Sequence, residues 1–289
     1  MNKVKITAGL TFALFCSAHA ATTAAVADTI ILSNGTPTNT STQDGEANFG
    51  GRNELIIGAT NPTSPRLGLV RFNVSAFAAE INAGQSLTTA RLILSERSGR
   101  NGNNNALSST ITVSPVVSQN EGWLEGTRTG SSNAFDADTI RSVSRSYLGT
   151  PSALNALDGT RWHSQGGGAT TNPPFGAGSI GFTLGVDSSA SVGTLSHTFD
   201  SGNADETLGI DLDLAGIEAL LPAWLSAGNS NAGLVLEATG TNQLFFGSIQ
   251  SGAADAAPVL ELEFAPPIPE PGTALLSGIA ALCLVRRHR

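Results

Sequence analysis

Three oxygen-bearing side chains in one polar, glycine-bearing segment are the residues best suited to hold a cation. Asp44, Glu46 and Asn48 occupy alternate positions there. Calcium takes hard oxygen ligands from loops, namely carboxylates, amide carbonyls and backbone carbonyls. We therefore expect that a bound metal, if the protein has one, is a structural calcium at these residues. The segment around Asp136 and Asp138 is a second candidate, and no motif demands any other cofactor.

A second group of residues could recognise a sugar. Arg141, Arg145 and Tyr147 lie close together in a long segment. Arginine forms forked hydrogen bonds to a carboxylate or to adjacent hydroxyls, and tyrosine can stack on a sugar ring. The sequence thus predicts a glycan-contacting patch here. The alternative is that the arginines pair with nearby acids, which are Asp136, Asp138 and Asp158.

Catalytic arrangements are scarce between the two ends of the chain. His163 and His197 are the histidines of that part, and no GxSxG motif accompanies them. We interpret both as ordinary packed or surface imidazoles and expect no zinc site. The acid pair Asp211 and Asp213 fits solvated surface better than a glycosidase dyad. The literal GxGxxG at 176–181 precedes a predicted strand and not a helix, which argues against a dinucleotide site.

Composition excludes further classes of function. Both lysines, both cysteines and a cluster of arginines fall in the end segments. The part between them carries ten arginines against 22 acidic residues, hence a net charge of −12. This charge repels phosphate and disfavours nucleic acid and anionic lipid as partners. The lack of cysteine there excludes disulfides, a thiolate metal site and a cysteine nucleophile.

The elements that position these residues are predicted to be β-strands. Short apolar or alternating runs bounded by Gly, Pro and Asn recur along the chain, and no repeat of fixed period stands out. This pattern predicts an all-β, two-sheet sandwich of the jelly-roll type, with one short helix near 215–225. Region 126–178 is an enlarged insert of weaker pattern. The predicted strands are 28–33, 54–58, 67–74, 87–95, 110–117, 179–186, 194–199, 207–214, 234–238, 244–248 and 259–264.

The two ends have the composition of targeting segments. Residues 1–27 combine Lys3 and Lys5 with an apolar run and small-residue cleavage sites, so we expect a helical signal peptide cleaved after Ala20 or Ala27. The sandwich domain is then 28–265 and the tail 266–289. In the tail, the apolar run 274–285 should form a short hydrophobic helix. It falls short of the ~20 residues that span a bilayer comfortably. The membrane-stop residues that follow, Arg286, Arg287 and Arg289, should stay cytoplasmic.

The tail resembles the PEP-CTERM sorting signal. Pro269, Glu270 and Pro271 precede the apolar run and the arginine cluster in the order typical of that family. The resemblance implies recognition by an exosortase in the inner membrane of a Gram-negative bacterium. It also implies transient membrane anchoring, through the end segments alone, followed by release to the cell surface or exterior. A plain tail anchor is the alternative.

A series of short motifs follows a fixed order along the middle of the chain. They are Asp28–Ile30, Asn48–Gly50, Leu55–Gly58, Gly68–Ser75, Ala90–Leu94, Trp123–Thr127, Asp158–Trp162, Trp224, Asn231–Leu236 and Ala257–Leu262. This order resembles the DNRLRE domain, a jelly-roll module of secreted bacterial and archaeal proteins. Asn73 departs from the aspartate common in that family, and the 126–178 region is larger than usual. Some members bind uronic-acid polymers, so the resemblance implies a carbohydrate-binding role.

Together these patterns predict an exported, non-catalytic protein of the cell surface or extracellular matrix that binds extracellular polysaccharide. One alternative is a structural component of a biofilm matrix without a defined ligand. A polysaccharide hydrolase or lyase is a further, less favoured alternative. Because the domain is strongly acidic, a neutral glycan suits it at least as well as a polyanion.

Overall fold

The predicted all-β sandwich is confirmed. The computed structural model describes residues 19–32, 49–58, 66–97, 107–123, 125, 144–148, 158–163, 169–170, 182–199, 206–239, 243–252 and 257–265. Its strands are β1 (His19–Leu32), β2 (Glu54–Gly58), β3 (Arg66–Phe72), β4 (Leu87–Ser95), β5 (Leu107–Pro115), β6 (Ser144–Leu148), β7 (Asp158–Arg161), β8 (Ala169–Thr170), β9 (Gly193–Phe199), β10 (Thr207–Asp211), β11 (Leu234–Ala238), β12 (Gln243–Gly247) and β13 (Val259–Phe264). The helices are α1 (Ala78–Asn82) and α2 (Leu214–Ala227), with short 3₁₀ turns beside them.

Two antiparallel sheets share β1 as a corner strand. The first half of β1 pairs with β13 and continues that sheet through β4 to β10. After an irregularity between Ala25 and Ala27, the second half pairs with β3 and continues through β11 and β5 to β9. A bridge between Gly193 and Leu212 then brings the far edges, β9 and β10, together. The sandwich is therefore nearly closed.

Alternation in the sequence explains how the main core forms. In β13, Leu260, Leu262 and Phe264 are buried while the residues between them are half-exposed. Side chains of successive strand residues point to opposite faces, so each strand contributes one apolar row to the space between the sheets. β4 follows the same rule through Leu92 and Leu94.

A second apolar layer covers the outer face of β1, β3 and β11. Trp123, Trp162 and Phe182 are fully buried there against residues of those strands, such as Leu67 and Leu69. Trp162 meets Phe182 edge-on, with 5.0 Å between ring centroids. Because both faces of β3 are covered, its residues from Leu67 to Phe72 are all buried. Trp224 of α2 is buried as well, in the main core between the sheets.

The predicted short helix is α2, which lies against β4. The Asp213 carboxylate accepts a hydrogen bond from the Gly216 N–H at 2.7 Å and so caps its N-terminus. Ile217, Leu221 and Trp224 form its buried face. Pro222 lies on the exposed side and does not end the helix, which continues to Ala227.

Asn73 has a comparable capping role before the 3₁₀ turn that leads into α1. Its side-chain oxygen accepts a hydrogen bond from the Ser75 N–H at 3.0 Å. An aspartate would serve equally as acceptor here.

Two of the expected elements differ from the structure. The prediction of a strand at 179–186 is wrong over its described part, because residues 184–187 form a turn. The Asp187 carboxylate accepts from the Thr183 N–H at 2.7 Å, and Gly185 supplies a φ of 79°. Strand β1 begins at His19, well before the predicted domain start at Asp28. Cleavage after Ala20 would leave most of this strand, whereas cleavage after Ala27 would remove the part that pairs with β13.

Candidate functional site

A hydroxyl-rich face on β5 and β9 is the first candidate site. Ser108 and Thr198 face each other across the two strands with 2.9 Å between their hydroxyl oxygens. Thr110 and Ser196 do the same at 3.0 Å. Thr239 lies beside them. These five residues, which we call the hydroxyl face, line a surface depression of about 300 Å³ together with Ser109 and His197.

The hydroxyl face retains capacity for further hydrogen bonds. A hydroxyl offers one donor and two acceptor lone pairs, and each cross-strand contact uses only part of that inventory. The five members carry no charge, and Ser108, Ser196 and Thr198 are exposed. Such a surface matches a neutral, hydroxyl-rich ligand. The cross-strand pairs also stabilise the sheet, by roughly 0.2–1 kcal/mol each.

A second candidate site lies where the two sheets meet. Glu96 follows β4, Glu206 precedes β10, and the backbone N–H of Glu96 donates to the Glu206 carbonyl at 2.7 Å. His197 comes from β9 of the opposite sheet, where it stands between Ser196 and Thr198 in the strand. Its side chain therefore alternates with theirs across the sheet. One ligand atom from each side chain lies within 4.8 Å of the other two. We call Glu96, His197 and Glu206 the seam cluster.

The seam cluster is partly shielded from solvent. Glu96 is buried, and the side chains of His197 and Glu206 are 21% and 40% exposed. His197 Nε2 lies 3.5 Å from a carboxylate oxygen of Glu206, which is the distance of an ion pair when the imidazole is protonated. An imidazole and two carboxylates can also coordinate a divalent metal ion. The geometry therefore admits either an ion pair or a metal site.

A third group consists of the buried Asp28, the half-buried Glu125 and the buried Arg71. The Asp28 carboxylate accepts from the Ile249 N–H at 2.8 Å, and a carboxylate oxygen of Glu125 accepts from the Asp28 N–H at 3.3 Å and from the Gln250 amide. Arg71 donates to the Trp123 carbonyl at 2.7 Å and lies over the ring of that tryptophan. Asp28 is only 2% exposed.

Burial governs the protonation of this acid pair. Desolvation, with a smaller contribution from the neighbouring Glu125 charge, raises the pKa of Asp28 to about 7. Desolvation likewise raises the pKa of Glu125 to about 7, against the opposing effects of its hydrogen bonds and of Arg71. Close packing encloses the pair, since a Cβ at Gly50 would lie 1.9 Å from the Glu125 carbonyl oxygen. Because a substrate cannot reach Asp28, we interpret the pair as a determinant of stability and not as a glycosidase dyad.

Most of the residues singled out in the sequence fall outside the described part of the chain. This holds for Asp44, Glu46, Asn48, Asp136, Asp138, Arg141, the GxGxxG at 176–181, the leader before His19 and the whole tail with Pro269, Glu270, Pro271, Arg286, Arg287 and Arg289. Arg145 and Tyr147 belong to β6, which pairs with β7 in a small three-stranded sheet formed by the insert. The calcium and glycan sites proposed for these residues stay predictions.

The other acids and histidines of the sequence analysis have identifiable surroundings. The Asp211 carboxylate is 2.9 Å from Arg91 on β4, and Asp213 is the cap of α2, so the two acids serve different partners. His163 is exposed. His197 belongs to the seam cluster, whose members the sequence analysis did not connect. No local motif could have done so, because they lie on three separated stretches of chain.

Comparisons with known proteins identify no related protein or family. A scan against models of protein families and a search of the curated proteins both find no match to this chain. In the described part of the chain, no helix combines the length and apolar character needed to cross a membrane.

Proposed function

We propose that this chain is an exported, non-catalytic surface or matrix protein that binds polysaccharide through the hydroxyl face. The observation that supports the proposal is the hydroxyl-rich depression that Ser108, Thr110, Ser196, Thr198 and Thr239 line together with Ser109 and His197. The sorting signal that the tail resembles would deliver the domain to the cell exterior, where such polymers occur. The exosortase is then a partner in sorting and the polysaccharide a partner in function.

The net negative charge of the domain favours a neutral polymer as its ligand. A domain with a net charge near −12 repels a polyanion over the Debye length, which is about 8 Å at physiological ionic strength. The hydroxyl face holds no arginine that could offset this repulsion. All three tryptophans are buried, so none of them offers a stacking platform. Hydrogen bonding by hydroxyls would therefore carry the recognition.

Replacement of two threonines by valine tests the proposal without a change of shape. In the variant Thr110→Val/Thr198→Val, each hydroxyl is exchanged for a methyl group of similar size. Valine suits a strand, so we expect the melting temperature to stay within a few degrees of the wild type. We expect at least a tenfold loss of affinity for neutral glycans in affinity electrophoresis, because two hydrogen bonds to the ligand would be lost.

Thr207→Val supplies a matched control. Thr207 is an exposed threonine on β10, in the other sheet, and does not line the depression. Its replacement should leave glycan binding unchanged. Equal loss in the control, or unchanged binding in the double variant, would refute the role of the hydroxyl face. If the wild type binds no glycan of a broad neutral and acidic panel, with or without calcium, the structural matrix role becomes the better account.

A further inference from the structure

We propose that the seam cluster is a binding site for a divalent transition metal of the zinc type. The inference does not rest on glycan binding, although His197 also borders the depression that the hydroxyl face lines. It rests on the ligand types, on their spacing and on where the three side chains come from.

The spacing suits a small metal ion. Zinc binds histidine nitrogen and carboxylate oxygen at about 2.0–2.2 Å, which puts tetrahedral ligand atoms about 3.4 Å apart. Ligand atoms of Glu96, His197 and Glu206 already lie within 4.8 Å of one another. The remaining difference is about 1.4 Å at most, a distance on the scale of side-chain rotation.

The ligand types favour zinc over calcium or magnesium. Calcium and magnesium prefer oxygen ligands, commonly six or more, whereas an imidazole suits zinc and its neighbours in the transition series. Two carboxylates would neutralise the charge of the ion, so a metal at this position lowers the cost of burying Glu96. Three protein ligands leave a fourth position, and the exposed part of Glu206 gives water access to it.

The origin of the ligands gives the site a structural consequence. Glu96 and Glu206 belong to the sheet that ends in β10, while His197 belongs to the sheet that ends in β9. These edge strands meet at the bridge between Gly193 and Leu212. A metal at the seam cluster would add to the connections that β1, this bridge and the bridge between Glu96 and Phe246 already make. Binding should therefore stabilise the folded protein by mass action.

The test measures thermal stability and metal binding of the full-length protein, purified without a histidine tag and freed of metal by dialysis against a chelator. Zinc at about a hundredfold excess over its dissociation constant should raise the melting temperature by about 5 °C or more. Equal concentrations of calcium or magnesium should not. Titration with Co²⁺ should produce the visible absorption bands of a low-symmetry site with one bound ion per chain.

Two variants and a control assign the effect to the seam cluster. His197→Ala should abolish the stabilisation and the Co²⁺ bands, and Glu206→Gln, at a more exposed position, should weaken zinc binding at least tenfold. His163→Ala removes an exposed histidine elsewhere and should preserve both signals.

Three results would overturn the proposal: no zinc-dependent shift in the wild type, an unchanged shift in both cluster variants, or an equal shift with calcium. If His197→Ala fails to fold, Glu206→Gln and the Co²⁺ spectrum of the wild type decide the question. Since glycan binding is measured on the hydroxyl face, failure of one proposal leaves the other standing.

Discussion

Replacement of Asp28 by asparagine should stabilise the protein in alkaline solution. The substitution keeps a side-chain oxygen that can accept from the Ile249 N–H, and it removes the negative charge that burial disfavours. It also relieves the repulsion between Asp28 and Glu125. The change is nearly isosteric, so packing around the site should persist.

The magnitude follows from the shift of the pKa. Asp28 changes from an ordinary value of 3.8 to about 7 in the folded protein. The folded state therefore binds the proton more tightly, and the free energy of unfolding falls as the pH rises through that interval. Each pKa unit corresponds to about 1.4 kcal/mol, so the buried charge costs up to ~4 kcal/mol at pH 8. The new amide N–H₂ offsets ~1–3 kcal/mol where it lacks an acceptor. We expect a net gain of ~1–3 kcal/mol at pH 8 and none at pH 5.

Urea unfolding at pH 5 and pH 8 measures this effect. The three buried tryptophans supply the fluorescence signal. The quantity that decides is the difference in unfolding free energy between variant and wild type at each pH, because groups other than Asp28 and its neighbour Glu125 titrate alike in both. Glu121→Gln, at an exposed position, is the control and should change stability by less than ~0.5 kcal/mol at either pH.

The result that would refute this reasoning is a loss of stability in Asp28→Asn that is the same at pH 5 and pH 8. Such an outcome would mean that the carboxylate is not penalised by burial. It would also mean that the acid pair contributes through its shape and hydrogen bonds alone. A larger gain at pH 5 than at pH 8 would contradict the sign of the linkage.

Three further predictions concern the core and the two ends. Trp162→Ala should destabilise the protein by ~3–5 kcal/mol in urea unfolding, because it removes a large, fully buried side chain that the insert places on the outer face of β3. A change below ~1 kcal/mol would show that the insert does not belong to the core. Signal cleavage should occur after Ala20, and N-terminal sequencing of the exported protein checks this. A chain made to begin at Asp28 should lose at least ~3 kcal/mol of unfolding free energy, because it lacks several hydrogen bonds to β13 and leaves β13 as an exposed edge strand. Glu270→Ala should leave full-length protein in the inner membrane in cell fractionation, and normal release of that variant would contradict the sorting role of the tail.

Strands with regular alternation could be predicted closely from the sequence. The bounds expected for β4, β11 and β13 agree with the structure, because each of them is a short apolar run flanked by Gly, Pro, Ser or Asn. The first half of β1 was missed since it is rich in Ala and Thr and resembles the small-residue region of a signal peptide. Its strand conformation depends on pairing with β13, a partner far away in the sequence.

Alternation of apolar residues also led to one wrong prediction, the strand at 179–186. Phe182 and Leu184 repeat with period two, yet the chain turns there, because Phe182 packs on Trp162 and Asp187 closes the turn. The seam cluster and the Asp28–Glu125 pair were beyond reach for a different reason. Each joins residues from distant parts of the chain, and their properties come from burial and register, which a single sequence does not display.

The position of β13 determines how the domain would respond to a pulling force. β13 is an interior strand that pairs with β4 on one side and with β1 on the other, and its last residue, Phe264, lies opposite His19. A tether attached after Phe264 would transmit load directly into this strand. To extract β13 along its axis, the force must shear the hydrogen bonds to both neighbours together instead of opening them one at a time. If the domain is tethered at this end, β13 would therefore resist extraction more strongly than an edge strand, whose bonds to a single neighbour can open one by one.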